Sequence, residues 1–164
     1  MTLTFQTTRC FIEPLKETDR NSFFEICTNV DVRRHLGGPV DKTSLETKFS
    51  ETLKSKDDIH WTVRSKNNHA FIGLISIDKH HDGEDYEISY QFLPDYWGQG
   101  LASETLETCI EKACQTLQIS SLVAETQTSN LRSIKLLDKL GMIKEKTVMR
   151  CNEHQTIFRY KKQD

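Results

Sequence analysis

The stretch Tyr86–Leu93 (YEISYQFL) alternates residue by residue, and the proline and glycines just beyond it restrict the fold. Tyr86, Ile88, Tyr90 and Phe92 share one face of an extended strand, and Glu87, Ser89 and Gln91 share the other. Pro94 offers no N–H to a ladder, so the strand ends there. Beyond it, Ala102, Leu106, Cys109, Ile110, Ala113 and Leu117 recur at helical spacing, which predicts an amphipathic helix over Leu101–Leu117. Trp97-Gly98-Gln99-Gly100 lies between the two. Paired glycines there remove side chains where a helix presents unpaired N–H groups and the positive end of its dipole. Such a loop suits an anion, and it also suits a tight turn with no ligand.

Ile59–Ser65 and Ala70–Asp78 precede this strand. With the turn signal Asp82-Gly83 they predict an antiparallel block of three. Upstream, the pattern predicts a strand at Arg9–Leu15, a helix at Glu17–Asn29 and an irregular piece over Val30–Val40. A second helix is predicted at Asp41–Lys54, with Thr43 as N-cap. Downstream come a strand at Ser121–Thr126 and a helix at Ser129–Leu140 stopped by Gly141. Two strands, Met142–Met149 and Thr156–Tyr160, close the chain around a polar turn at Asn152–His154. The order predicts a mixed α/β (α+β) domain spanning residues 1–164. Its central sheet is mostly antiparallel, with six to seven strands and about four flanking helices.

Composition narrows the function. A net charge of −2 argues against a nucleic-acid surface, and no apolar run is long enough to span a membrane. Met1–Arg9 lacks the basic-then-apolar layout of a secretory signal. The five cysteines are scattered, with no Cys-x-x-Cys, which points to reduced thiols in a cytoplasmic protein and to no structural metal. His80-His81 reads as a polar hairpin flank, and Arg33-Arg34-His35 as a solvated turn. The glycine loop lacks the lysine of a P-loop, and Ser103 stands where a dinucleotide fold needs its third glycine.

A second motif decides among ligands. Thr128–Met142 reads TSNLRSIKLLDKLGM, with Asn130 ahead of a helix and Ser133 three residues on. Together with Asp95–Ala113 it resembles the acetyl-CoA-binding motifs of the GCN5-related N-acetyltransferases, the GNAT superfamily. TTRCFIEPL, VDVRRHLGG and YWGQGLASE resemble its RimJ/RimL-like, ribosomal-protein branch.

The resemblance implies a sheet splayed in the middle and a donor, acetyl-CoA, that leaves as coenzyme A. It implies that main-chain donors over Trp97, Gly98, Gln99, Gly100, Leu101, Ala102 and Ser103 hold the pyrophosphate. Gln91, Phe92 and Leu93 would pair through their backbone with the pantetheine arm, and Asn130 would bond it. Many members carry a tyrosine in the last helix that protonates the departing thiolate. The matching position here is Leu137, so Ser133 takes that role by the branch resemblance. Glu87, on the polar strand face, is the expected base, with Glu84 and Glu125 as rivals. The branch resemblance implies a primary amine as acceptor, a protein N-terminal α-amino group, with a small amine such as a polyamine or antibiotic as the alternative; the protein is a monomer or homodimer. The competing reading is a module that binds acyl-CoA without catalysis.

Overall fold

The period-two segments of the chain assemble into one sheet. A computed structural model describes residues 4–164; the Met1–Leu3 part of the segment whose layout differs from a secretory signal lies outside them. The strands are β1 (Phe5–Gln6), β2 (Cys10–Pro14), β3 (Ile59–Ser65), β4 (Phe71–Lys79), β5 (Tyr86–Phe92), β6 (Ser121–Gln127), β7 (Ile143–Arg150) and β8 (Glu153–Lys161). Their spatial order is β1-β2-β3-β4-β5-β6-β8-β7. The helices are α1 (Arg20–Thr28), α2 (Val30–Arg33), α3 (Lys42–Lys54), α4 (Leu101–Leu117) and α5 (Leu131–Lys139).

All pairings are antiparallel except β5 with β6. That parallel pairing consists of a single register pair, Glu87 with Val123. Further along, β5 continues to Phe92 against β4 while β6 continues to Gln127 against β8. The sheet therefore splits into two halves joined near Glu87. The crossover through α4 makes this possible, since parallel neighbours need a long connection and α4 supplies it.

Each face of the sheet has its own core. Trp61, Ile75, Ile77, Ile88, Leu122 and Phe158 pack with Leu106, Cys109 and Ile110 of α4 and Leu137 of α5. Phe23, Ile26 and Cys27 of α1 pack with Leu45 and Phe49 of α3 and with Phe71. Burial of each such large side chain contributes about 1.5–3 kcal/mol, so the two layers of helix hold the split halves in place.

Several sequence expectations are corrected. The sheet has eight strands because β1, only two residues long, gives no periodic signal. Val30–Val40 contains α2, capped where the Asn29 side chain accepts the Val32 N–H at 3.0 Å. Asp41, not Thr43, caps α3: its carboxylate accepts from the Thr43 N–H and the Thr43 hydroxyl. The last turn is Cys151-Asn152, both with positive φ, and β8 begins at Glu153. Two such residues match the twist of the flanking strands.

Gly73 shows how tightly β4 meets β5. A Cβ there would lie 2.3 Å from the Gln91 carbonyl oxygen and 2.8 Å from the Phe92 ring. One of these contacts is backbone and cannot swing away. Gly73→Ala is expected to destabilise the protein by about 1–3 kcal/mol, seen as a lower urea midpoint with an unchanged slope. An unshifted midpoint would show that the strands separate freely.

Candidate active site

Gly98 and Gly100 adopt φ of +75° and +77°, which glycine reaches without a steric penalty. Gly100 is the N-cap of α4 and provides no side-chain cap. The N–H groups at Leu101, Ala102 and Ser103 are thus the unpaired first-turn donors of a long helix. A Cβ at Gly98 would meet nothing within 4 Å, so the loop borders open space. Arg9 braces it: Nη1 donates to the Gln99 carbonyl at 2.9 Å and Nε to Glu104 at 2.8 Å. The Gln99 side chain donates to the Asp95 carbonyl at 2.9 Å. Burial would raise the Glu104 pKa, but hydrogen bonds from Thr7 and Arg9 outweigh it and hold the carboxyl below its usual range. Sequence reasoning missed Arg9, whose partners lie some ninety residues away.

The end of β5 is more selective than the resemblance implied. Leu93 donates its N–H to Ile72 at 2.9 Å. Antiparallel ladders alternate, so Glu87, Ser89, Gln91 and Leu93 spend their peptide groups on β4. Tyr90 and Phe92 point theirs toward the split. The Phe92 carbonyl is already taken by the Trp97 indole N–H at 2.7 Å, which leaves the Phe92 N–H. Arg132 lies over the Trp97 ring at 3.9 Å, a cation–π contact that fixes the indole.

A cleft of about 820 Å³ reaches both sides of the split. Gly98, Gly100, Ala102, Asn130 and Ser133 line one part, and His60, Ser76, Asp78 and Ser89 line the other. The Asn130 side chain caps α5 by accepting the Ser133 N–H at 3.3 Å. The buried Ser133 hydroxyl is hydrogen-bonded to the Tyr90 hydroxyl from β5. Sequence reasoning placed Tyr90 on the apolar face but missed its partner. Leu137 is fully buried core. Arg132, Lys135 and Lys139 also line the cleft from α5, giving it a positive rim suited to phosphates.

Glu87 sits at the vertex, opposite Asp78 on β4 and Val123 on β6. Burial, with repulsion from Asp78 and Glu125, pushes its pKa up from 4.5 to about 7, although His80 pulls the other way. Glu87 does not itself line the cleft; its neighbours Asp78 and Glu125 do. Burial and then Asp58 raise Asp78 as well. The rivals fare worse as bases. Glu84 is exposed in the β4–β5 turn. The Glu125 carboxylate is bonded to His80 at 2.7 Å and to Arg150 at 2.7 Å. Burial alone would raise its pKa, but these bonds outweigh it and lower the pKa.

His80 is therefore no polar flank but a buried residue that bonds Glu125. Its Nδ1 accepts the Asp82 N–H, so Nε2 is the nitrogen that donates. His80, His81 and Glu125 bring ligating atoms within 4.8 Å of one another, but His80 and Arg150 already occupy both Glu125 oxygens. Arg33 and His35 are likewise not simply solvated. Arg33 reaches the Gln91 side chain at 3.4 Å and His35 that of Gln127 at 3.1 Å, so the end of α2 and the turn after it touch both sides of the split.

The model of the acetyltransferase (GNAT) domain family matches residues 9–143. The chain belongs to the GNAT family. An uncharacterized N-acetyltransferase of Bacillus subtilis, YoaA, is 26% identical over 149 residues, covering 85% of this chain and 82% of that one. A GNAT-family acetyltransferase from Bacillus anthracis superposes with a TM-score of 0.83 at 19% identity, covering 97% of this chain and 98% of that one. A spermidine N-acetyltransferase from Vibrio cholerae, crystallised with CoA and spermine, superposes at 0.82 and 12% identity over 93% and 95% of the two chains. The GNAT chain is accordingly an acyltransferase whose donor is acetyl-CoA. Among the described residues, no helix of this GNAT domain is long and apolar enough to cross a membrane.

Proposed function

We propose that the protein transfers the acetyl group of acetyl-CoA to a small cationic amine in the cytoplasm. The observation that carries this reading is the split beyond Glu87, which joins uncapped α4 amides on one side to a carboxylate-lined lobe on the other. The loop fits the donor: bare amides, αL glycines and the basic face of α5 suit its phosphates. When bound, acetyl-CoA supplies an acetyl group activated as a thioester. Amides at Gly98–Ser103 would hold its phosphates, Asn130 would orient its arm, and the Phe92 N–H would face the developing oxyanion. Glu87 takes the amine's proton through water, and Ser133 serves the departing sulfur.

Two features bear on the acceptor. Glu51, Asp58 and Asp78 line the cleft beside Lys48, and this excess of carboxylates favours a cationic acceptor. The branch resemblance, carried by YWGQGLASE and Ser133, favours a protein N-terminal α-amine instead. Isothermal titration with coenzyme A and a thiol-release assay over diamines, polyamines, aminoglycosides and N-terminal peptides separate the readings. We expect coenzyme A binding and turnover fastest on polyamines. Turnover on peptides alone would reverse the acceptor. Binding without any turnover would favour a non-catalytic module, and no heat with coenzyme A would defeat the proposal.

Asp78→Asn tests the lobe. It is expected to raise KM for a polyamine about tenfold, roughly the effect of losing one partly buried charge pair. KM for acetyl-CoA should stay unchanged. Equal effects on both substrates would place Asp78 outside the acceptor site.

A further inference from the structure

Ser133 does not stand alone. Its hydroxyl, from α5, is hydrogen-bonded to that of Tyr90, from β5, across the cleft side of the split. Both residues line the cleft, and Tyr90 packs partly buried against the main core. A phenol is the better donor and an alcohol the better acceptor, so the bond runs from Tyr90 to Ser133 Oγ. Serine has one proton and can send it to only one place. A serine that accepts from tyrosine keeps that proton for another acceptor, and the cleft is where one would lie.

We infer that Tyr90 is a positioning residue for departure of the thiol: its hydroxyl donates to Ser133 Oγ and turns the serine proton toward the sulfur. This rests on the acetyl-transfer reading and on the role given there to Ser133. As the amine nitrogen bonds to the acyl carbon and the carbon–sulfur bond breaks, the electron pair stays on sulfur. Ser133 donates a hydrogen bond to that pair, and the amine's proton leaves through Glu87. A serine hydroxyl is a far weaker acid than a thiol, so it supplies the hydrogen bond and retains its proton. Tyr90 keeps its own proton throughout. Burial pushes its pKa up to about 12, with the Ser133 bond acting in the opposite direction, so it remains a fixed donor across the working range.

The pair also accounts for Leu137. The α5 position where many family members carry tyrosine is fully buried aliphatic core here. The phenol instead arrives from the neighbouring strand and acts one atom removed, through the serine.

The test joins kinetics to a titration that needs no turnover. Tyr90→Phe should lower kcat about tenfold, the effect of one oriented hydrogen bond, and leave KM for acetyl-CoA within about twofold. The loss should shrink with an acetyl donor whose thiol is more acidic, because a better leaving group needs less help. The thiol of bound coenzyme A, followed at about 232 nm against the desulfo-coenzyme A complex, should titrate about one unit higher in Tyr90→Phe than in wild type. Ser133→Ala should raise it at least as far, and the double variant should match Ser133→Ala alone, because the residues act as one unit. Ser133→Thr, which retains Oγ, should keep most of the rate and the titration.

Equal losses on both donors, or an unmoved thiol titration in Tyr90→Phe, would overturn the role of Tyr90. If Ser133→Ala moves both readouts and Tyr90→Phe neither, the tyrosine inference falls while the serine reading stands. If Ser133→Ala moves neither, the serine reading falls and takes the inference with it, while coenzyme A binding still tests the fold's donor site.

Discussion

Glu87→Gln is expected to lower kcat by about 10²–10³-fold, within the range for loss of a positioned base. Glutamine keeps the shape and cannot accept the amine's proton. The pH profile carries the sharper signature. Glu87 has its pKa raised to about 7, chiefly by burial and then by Asp78 and Glu125. The base acts when deprotonated, so kcat of the wild type should climb with pH through about 7, and the climb should vanish in the variant. Stability moves the other way. A carboxyl raised in the folded state favours folding below its unfolded pKa near 4.5, and that contribution is lost as pH rises through about 7. Above that pH the wild type holds a poorly solvated charge, which the variant removes. Glu87→Gln should therefore be more stable than wild type at about pH 8, by at most about 3 kcal/mol, and equally stable near pH 4. If Asp78→Asn abolishes the climb while Glu87→Gln keeps it, the base is Asp78.

The same residues show what a sequence can disclose. Alternation over Tyr86–Phe92 gave strand, faces and the surface on which Glu87 lies, because period two is local. The loop was legible for a similar reason: Gly98 and Gly100 must both reach positive φ at a helix start. Partnerships across the chain were not legible. Arg9 supports a loop ninety residues away, and His80 looks like a solvated turn until β6 delivers Glu125 beside it. The peptide groups of β5 were half legible. The sequence named Gln91, Phe92 and Leu93 together, but the β4 register decides that Phe92 faces the opening and Leu93 does not. Pairing depends on register, and a single sequence does not print it.

Arg150→Met is expected to cost about 3 kcal/mol at pH 7, as when one partner of a mostly buried ion pair is removed. Glu125 is nearly buried, and Arg150 meets it with Nε at 2.7 Å and Nη2 at 3.0 Å while also holding Asp82 of the β4–β5 turn. Methionine fills the space of the aliphatic stem and abandons the charge. Burial would raise Glu125 on its own; bonds from Arg150 and His80 now hold it low. The stabilisation from a lowered carboxyl is present above its unfolded pKa near 4.5 and is lost as pH falls through the folded value. The gap between variant and wild type in urea should thus be widest at neutral pH and close in acid; a gap that ignores pH would mean the arginine acts only by packing. Activity should report the change too. In the variant Glu125 keeps its charge at neutral pH without the arginine to offset it, so its repulsion of the Glu87 carboxylate grows and the climb in rate should shift above pH 7. The ion pair that fastens the turn is in this way part of what holds the base near neutrality.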